Sequence, residues 1–114
     1  MEFGFRECSI EVSDKYVVVS REARAVVIPI PLKNFTVTFF HVRQAVRLRD
    51  FDAIIFDDVE AEREEMRDIG VVVLEGSGGT YLIFIVEFKN SYTIFHGWGW
   101  FDGKEYGFIH GGDV

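Results

Sequence analysis

Sulfhydryl chemistry is nearly missing from this sequence of 114 residues, which holds one cysteine, Cys8. A lone thiol closes no internal disulfide and suits a reducing compartment. Proline is limited to Pro29 and Pro31. Asparagine and glutamine together number three (Asn34, Gln44 and Asn90), and arginine outnumbers lysine eight to four, a balance that points to a thermophilic source. No apolar run approaches the ~20 residues that span a bilayer, so no membrane association is expected. The opening "MEFGFRECSI" has no basic region followed by an apolar stretch, which argues against a secretion signal and for a cytoplasmic location. Positive charge is also short, with 12 Lys and Arg against 19 Asp and Glu for a net charge of −7. Such a chain repels phosphate backbones at long range, which makes nucleic acid an unfavoured partner and a basic protein a favoured one.

What is present favours strands. Hydrophobic residues make up 48% of the chain, twelve of them Phe, and β-branched and aromatic side chains pack well on a pleated surface. The length suits a single domain over residues 1–114. Apolar residues fall on odd positions at Phe3 and Phe5, then on even ones at Cys8, Ile10 and Val12. A parity switch at Arg6–Glu7 predicts a bulge or bend, because each strand face repeats every two residues. Strands follow at 16–20 and 25–30 around the turn "REAR", and at 35–39, where Phe and Val alternate with Thr. The segment "VRQAVRLR" (42–49) fits helix and strand alike, and Ala53–Phe56 reads as a short strand. "DDVEAEREEMRDIG" carries a capping box in Asp57 and Glu60 and a stop at Gly70, with a narrow apolar stripe of Val59, Met66 and Ile69. "VVVLE", "TYLIFIVEFK" and "YTIFHGWGW" then resume the strands. The expected fold is α+β and mostly antiparallel β, a twisted sheet or partly open barrel of about seven to nine strands with one short helix near 58–69.

Most motif-like stretches have plain structural readings. "EGSGGT" (75–80) lacks the Gly-Lys-Ser/Thr ending and opens no helix, so it reads as a hairpin loop rather than a phosphate cradle. Asp57 and Asp58 suit a helix cap better than a cation site. Glu60, Glu62, Glu64 and Glu65 form an acidic face that could dock a basic partner.

One constellation points to chemistry. Asp68 at the end of the expected helix, a hairpin, and then Glu87-Phe88-Lys89 at the end of an apolar strand resemble the core of the PD-(D/E)xK nucleases. The resemblance covers about a fifth of the chain and implies that Asp68 and Glu87 hold a divalent metal while Lys89 positions the attacking water. Glu and Lys two apart on a strand project from one face. The competing reading is a half-exposed strand end whose Glu and Lys pair across strands.

The terminal "HGWGWFDGKEYGFIHGG" holds both tryptophans and two histidines. Asp102-Gly103 is a turn signal, and an odd-length loop puts Tyr92, Ile94, His96, Trp98, Trp100, Tyr106, Phe108 and His110 on one face. Trp98 then lies opposite Tyr106 and His96 opposite Phe108. That face serves either as core or as a stacking surface in which His96, Trp98, Trp100, Tyr106 and His110 hold a base, sugar or peptide. The glycine face behind it suits a dimer or an added strand. His41 continues the apolar face of Phe35, Val37 and Phe39 and reads as a hydrogen-bonded residue at the core edge. Three histidines without tight spacing make no metal site.

The sequence therefore favours a small acidic, non-enzymatic interaction or regulatory module that binds another protein, with no cofactor. The metal-dependent nuclease is the first alternative and a small-molecule module using the C-terminal aromatics the second.

Overall fold

The computed structural model describes residues 1–42, 66–99 and 108–114. Nine antiparallel strands run through them: β1 (Glu2–Phe5), β2 (Cys8–Val12), β3 (Tyr16–Arg21), β4 (Arg24–Pro29), β5 (Phe35–Val42), β6 (Asp68–Gly76), β7 (Gly79–Glu87), β8 (Tyr92–Trp98) and β9 (Ile109–Asp113). They form two open sheets, β1-β2-β3-β4 and β5-β6-β7-β8-β9, rather than one twisted sheet or a barrel. The break falls where proline stops the ladder. Pro29 closes β4 and Pro31 follows it, neither with an N–H to donate, and the chain crosses to the second sheet through residues 31–34.

Alternation sets the inner faces. Along β2 the even residues Cys8, Ile10 and Val12 are buried and Ser9 and Glu11 exposed, and β4 buries Val26 and Ile28 in the same way. The bulge or bend expected at Arg6–Glu7 is a two-residue hairpin turn between Phe5 and Cys8, with Arg6 at φ 56°. A tight turn shifts parity as a bulge does, because it reverses the chain between two strands. Phe5, Ile10, Val17, Val19 and Ile28 of the first sheet meet Val72, Leu74, Ile83, Ile85 and Ile94 of the second in one apolar cluster. Phe3 stacks on Phe39 at 5.4 Å between ring centres, which lays β1 over β5. Burying each such side chain contributes roughly 1.5–3 kcal/mol.

The five-stranded sheet is buried on its far face as well. Ile69, Val71, Val73, Leu82, Phe84, Val86, Phe88 and Phe95 form a second cluster there, with Met66 and Phe108 against it. This is why β6 and β7 read as unbroken apolar runs: no position on them can alternate to water over Ile69–Leu74 and Tyr81–Val86.

Residues 43–65 lie outside the described residues, and with them the strand expected at Ala53–Phe56, the capping residues Asp57 and Glu60, and most of the helix expected near 58–69. The end of that helix is corrected. Asp68 and Ile69 open β6, paired with Glu87 and Val86, and no helix occurs among the described residues. Counting Ile69 as a helix stripe with Met66 mistook the first inward step of a doubly buried strand for a 3.6-residue repeat. No helix among the described residues is long and apolar enough to cross a membrane.

Candidate functional site

One end of the inter-sheet core is polar. Asp68, Glu87 and Tyr92 are register partners across β6, β7 and β8, so all three side chains point toward the first sheet in a single row. His41, opposite Gly70 on β5, reaches the row diagonally. Gly70 makes this possible. A Cβ there would sit 3.0 Å from the Phe5 ring, and Phe5 occupies that space with its edge toward His41, 5.0 Å between ring centres.

From the first sheet the β1–β2 turn inserts Arg6 into the row. Its left-handed backbone is a conformation that non-glycine residues adopt at a cost of roughly 1 kcal/mol, and it aims the guanidinium inward. Arg6 Nη2 and Nε donate to Asp68 Oδ2 at 2.8 and 3.1 Å, and Nε lies 3.6 Å from Glu87 Oε1. His41 Nε2 shares the same Asp68 oxygen, while the Ile69 N–H donates to Oδ1 at 3.0 Å. Asp68 is only 1% exposed, so it can remain there only because these donors replace its hydration. The Tyr92 hydroxyl donates to Glu87 Oε2 at 3.0 Å and accepts the Glu7 N–H at 3.3 Å.

Outside this row lies a cleft of about 330 Å³. Its ionisable walls are Arg6, Glu7, Arg21, Arg67, Glu87 and Lys89, with Asn90 and Ser91 at the β7–β8 turn. Arg21 pairs with Glu7 at 3.2 Å, donates to the Asn90 carbonyl at 3.3 Å, and lies over the Tyr92 ring at 5.2 Å. Burial pushes the Tyr92 hydroxyl up to about 12; the neighbouring Glu87 adds to the shift and the Glu7 N–H opposes it. Beside it, burial raises the Cys8 thiol to about 12, against the pull of Arg21 and with the push of Glu7 and Glu87. A thiol held in that state is inert as a nucleophile at neutral pH.

The three residues of the nuclease resemblance are neighbours. Asp68 and Glu87 are directly paired across strands, and Lys89 lines the cleft with Glu87 while Phe88 between them turns into the far-face cluster. The space between the two carboxylates is taken by the Arg6 guanidinium. Among the described residues no group of three or more His, Cys, Asp or Glu is arranged to hold a metal ion.

The C-terminal aromatics divide. His96 and Trp98 share the inner face with Tyr81, whose hydroxyl lies 2.6 Å from His96 Nδ1 and whose ring meets the Trp98 edge at 5.3 Å. Burial lowers the His96 pKa and raises that of Tyr81. His110 faces the other way. β9 pairs with β8 at His96↔Ile109 and Phe95↔His110, one residue from the expected register, and a bulge between Ile94 and Phe95 shifts only the pairs beyond them, so His110 packs on Phe95 and Phe108 on Phe84. A one-residue slip moves every side chain to the opposite face. Trp100 and Tyr106 lie outside the described residues, as do Glu60, Glu62, Glu64 and Glu65.

Sequence reasoning passed over Arg6, Glu7, Arg21 and Arg67, and placed His41 and Tyr92 on the correct faces without a partner. The available signal was the parity switch at Arg6–Glu7, which marked a turn. Comparison with protein-family models, curated proteins and solved structures finds no match to this chain.

Proposed function

We propose that this chain is a small, non-enzymatic interaction module that binds another protein, with its contact surface at the polar end of the two sheets. The observation that supports this reading is the cleft itself. The turns β1–β2 and β7–β8 and the end of β3 converge on it, and its rim keeps Arg67 and Lys89 without an ion-pair partner among the described residues. Turn residues held by a rigid scaffold are the usual seat of recognition. The row beneath them is built for stability, since the oxygens of Asp68 already accept from Arg6, His41 and Ile69.

A peptide-display selection against the folded protein tests this. Selected peptides should bind, and Asn90→Trp, which plugs the exposed rim without entering the core, should weaken them about tenfold or more. Peptides that bind independently of Asn90 would overturn it.

The metal-dependent nuclease is the second reading, because the pairing of Asp68 with Glu87 brings two carboxylates together. It requires Arg6 to yield its place to a cation. Cleavage of DNA or RNA with Mg²⁺ or Mn²⁺, abolished by Lys89→Ala, would establish it and remove the first.

A further inference from the structure

We infer that the group recognised in this cleft is a carboxylate carried by an acidic peptide segment. The inference rests on the reading of the cleft as a protein-contact site and adds the chemistry of the partner.

Charge is the first argument. The cleft walls bring four cations, Arg6, Arg21, Arg67 and Lys89, against the carboxylates Glu7 and Glu87 and the buried Asp68 that Arg6 holds at 2.8 Å, an excess of one positive charge. At physiological salt the field of a charge is largely screened beyond about 8 Å, so a ligand in the cleft responds chiefly to the charges that line it.

Pairing is the second. Glu7 is satisfied by Arg21 at 3.2 Å, and Glu87 by Tyr92 at 3.0 Å with Arg6 at 3.6 Å. Both cleft carboxylates are therefore compensated from within. Arg67 and Lys89 are exposed on the rim, and no ion pair joins either of them to a described residue. Arg67 is held in place by its backbone, whose N–H donates to the Glu87 carbonyl at 2.8 Å, and Lys89 stands two residues beyond Glu87. Two exposed cations beside the amide of Asn90 and the hydroxyl of Ser91 are a donor set for an anion.

The type of anion follows from what else is present. Glu7 and Glu87 remain in the walls and oppose a dianion such as phosphate more than a monoanion. A space of about 330 Å³ admits one or two side chains, not a backbone groove. A carboxylate on an acidic peptide meets both conditions.

The test is fluorescence anisotropy with a labelled hexaglutamate peptide at physiological salt, beside hexaglutamine, hexalysine, inorganic phosphate as competitor and a short single-stranded DNA. Hexaglutamate should bind and hexaglutamine should bind at least about tenfold more weakly. Arg67→Ala and Lys89→Ala should each weaken hexaglutamate up to about fivefold, as exposed charge pairs do. The double reversal Arg67→Glu/Lys89→Glu should abolish binding. Lys15→Glu/Lys33→Glu, the same charge change outside the cleft, should leave most of it. Equal binding of hexaglutamine, tighter binding of phosphate or DNA, or equal losses in both double reversals would each overturn the inference. Display-selected peptides that depend on Asn90 but show no acidic preference would overturn it and leave the protein-binding reading standing. Selected peptides indifferent to Asn90 would remove both.

Discussion

Arg6 stands between Asp68 and Glu87, 2.8 Å from the first carboxylate and 3.6 Å from the second, and so joins a turn of one sheet to two central strands of the other. Glu7 and Arg21 add polar contacts to Tyr92 and Asn90 at the same end, and the rest of the shared face is largely apolar. The ion row fixes one end of that face, because a carboxylate that is 1% exposed tolerates no arrangement that leaves it unpaired.

Removing Asp68 should therefore expose how the row is balanced. Asp68→Ala leaves His41 and Arg6 without their acceptor, but Arg6 is 45% exposed and can be hydrated again, so a loss of about 1–3 kcal/mol is expected. Urea denaturation measures it. Arg6→Met combined with Asp68→Leu should recover part of the loss, since a matched apolar pair carries no desolvation cost. A double variant less stable than Asp68→Ala would contradict this account.

The far face of the five-stranded sheet should matter as much as the inner one. Phe84 has no exposure, lies in the second apolar cluster and meets Phe108 edge-on at 5.1 Å. Phe84→Ala should cost about 3–5 kcal/mol. Val27→Thr, 56% exposed on the outer face of β4, should stay within about 0.5 kcal/mol. Comparable thermal unfolding midpoints for the two variants would show that the second cluster adds little.

Two glycines should respond in opposite ways to one methyl group. A Cβ on Gly76 would fall 2.5 Å from the Asn34 carbonyl oxygen, a backbone atom that cannot swing aside. Gly76→Ala should destabilise by about 1–3 kcal/mol. Nothing lies within 4 Å of the same atom on Gly4, and Gly4→Ala should be neutral or gain about 0.5 kcal/mol by restricting the unfolded chain. Chemical denaturation of both variants checks the pair.

The pH profile should have a flat top limited by Cys8, Tyr81 and Tyr92 on the alkaline side and by His96 on the acid side. The Cys8 thiol titrates near 9.0 when unfolded and near 12 when folded, and Tyr92 near 10.0 and near 12. The native state holds these protons longer, so stability falls as pH rises from about 9 toward 12. His96 is shifted the other way: the unfolded chain takes its proton near 6.5 and the folded chain only at lower pH, so stability also falls as pH drops through 6.5. Urea midpoints should be highest between these limits, and native Cys8 should resist a thiol reagent at pH 8 until denaturant is added. Rapid labelling of the folded protein would show that the thiol is not held in its buried state.

Strand by strand, the order of elements was legible because alternation is local. Each of Cys8–Val12, Ala25–Ile28 and Phe35–Phe39 declares its buried face within five residues, and the residues facing inward from Tyr92, Ile94, His96 and Trp98 were identified the same way. The limits of that reasoning appear at Asp68, where a strand buried on both faces imitates a helix end, and at His110, whose pairing with Phe95 stands one residue from the register that an odd-length loop implies.

The amino-acid sequence by itself determined that the chain is mostly antiparallel β, where proline ends β4, and that it carries an acidic surplus. Only the tertiary structure decided that these strands divide into two sheets and that Arg6 meets Asp68 across 62 positions of chain. The reason is physical. Alternation reports the direction of a side chain relative to its own strand, whereas the charge row and its cleft depend on how two sheets are laid on each other, and that is set by the summed packing of their faces rather than by any single segment.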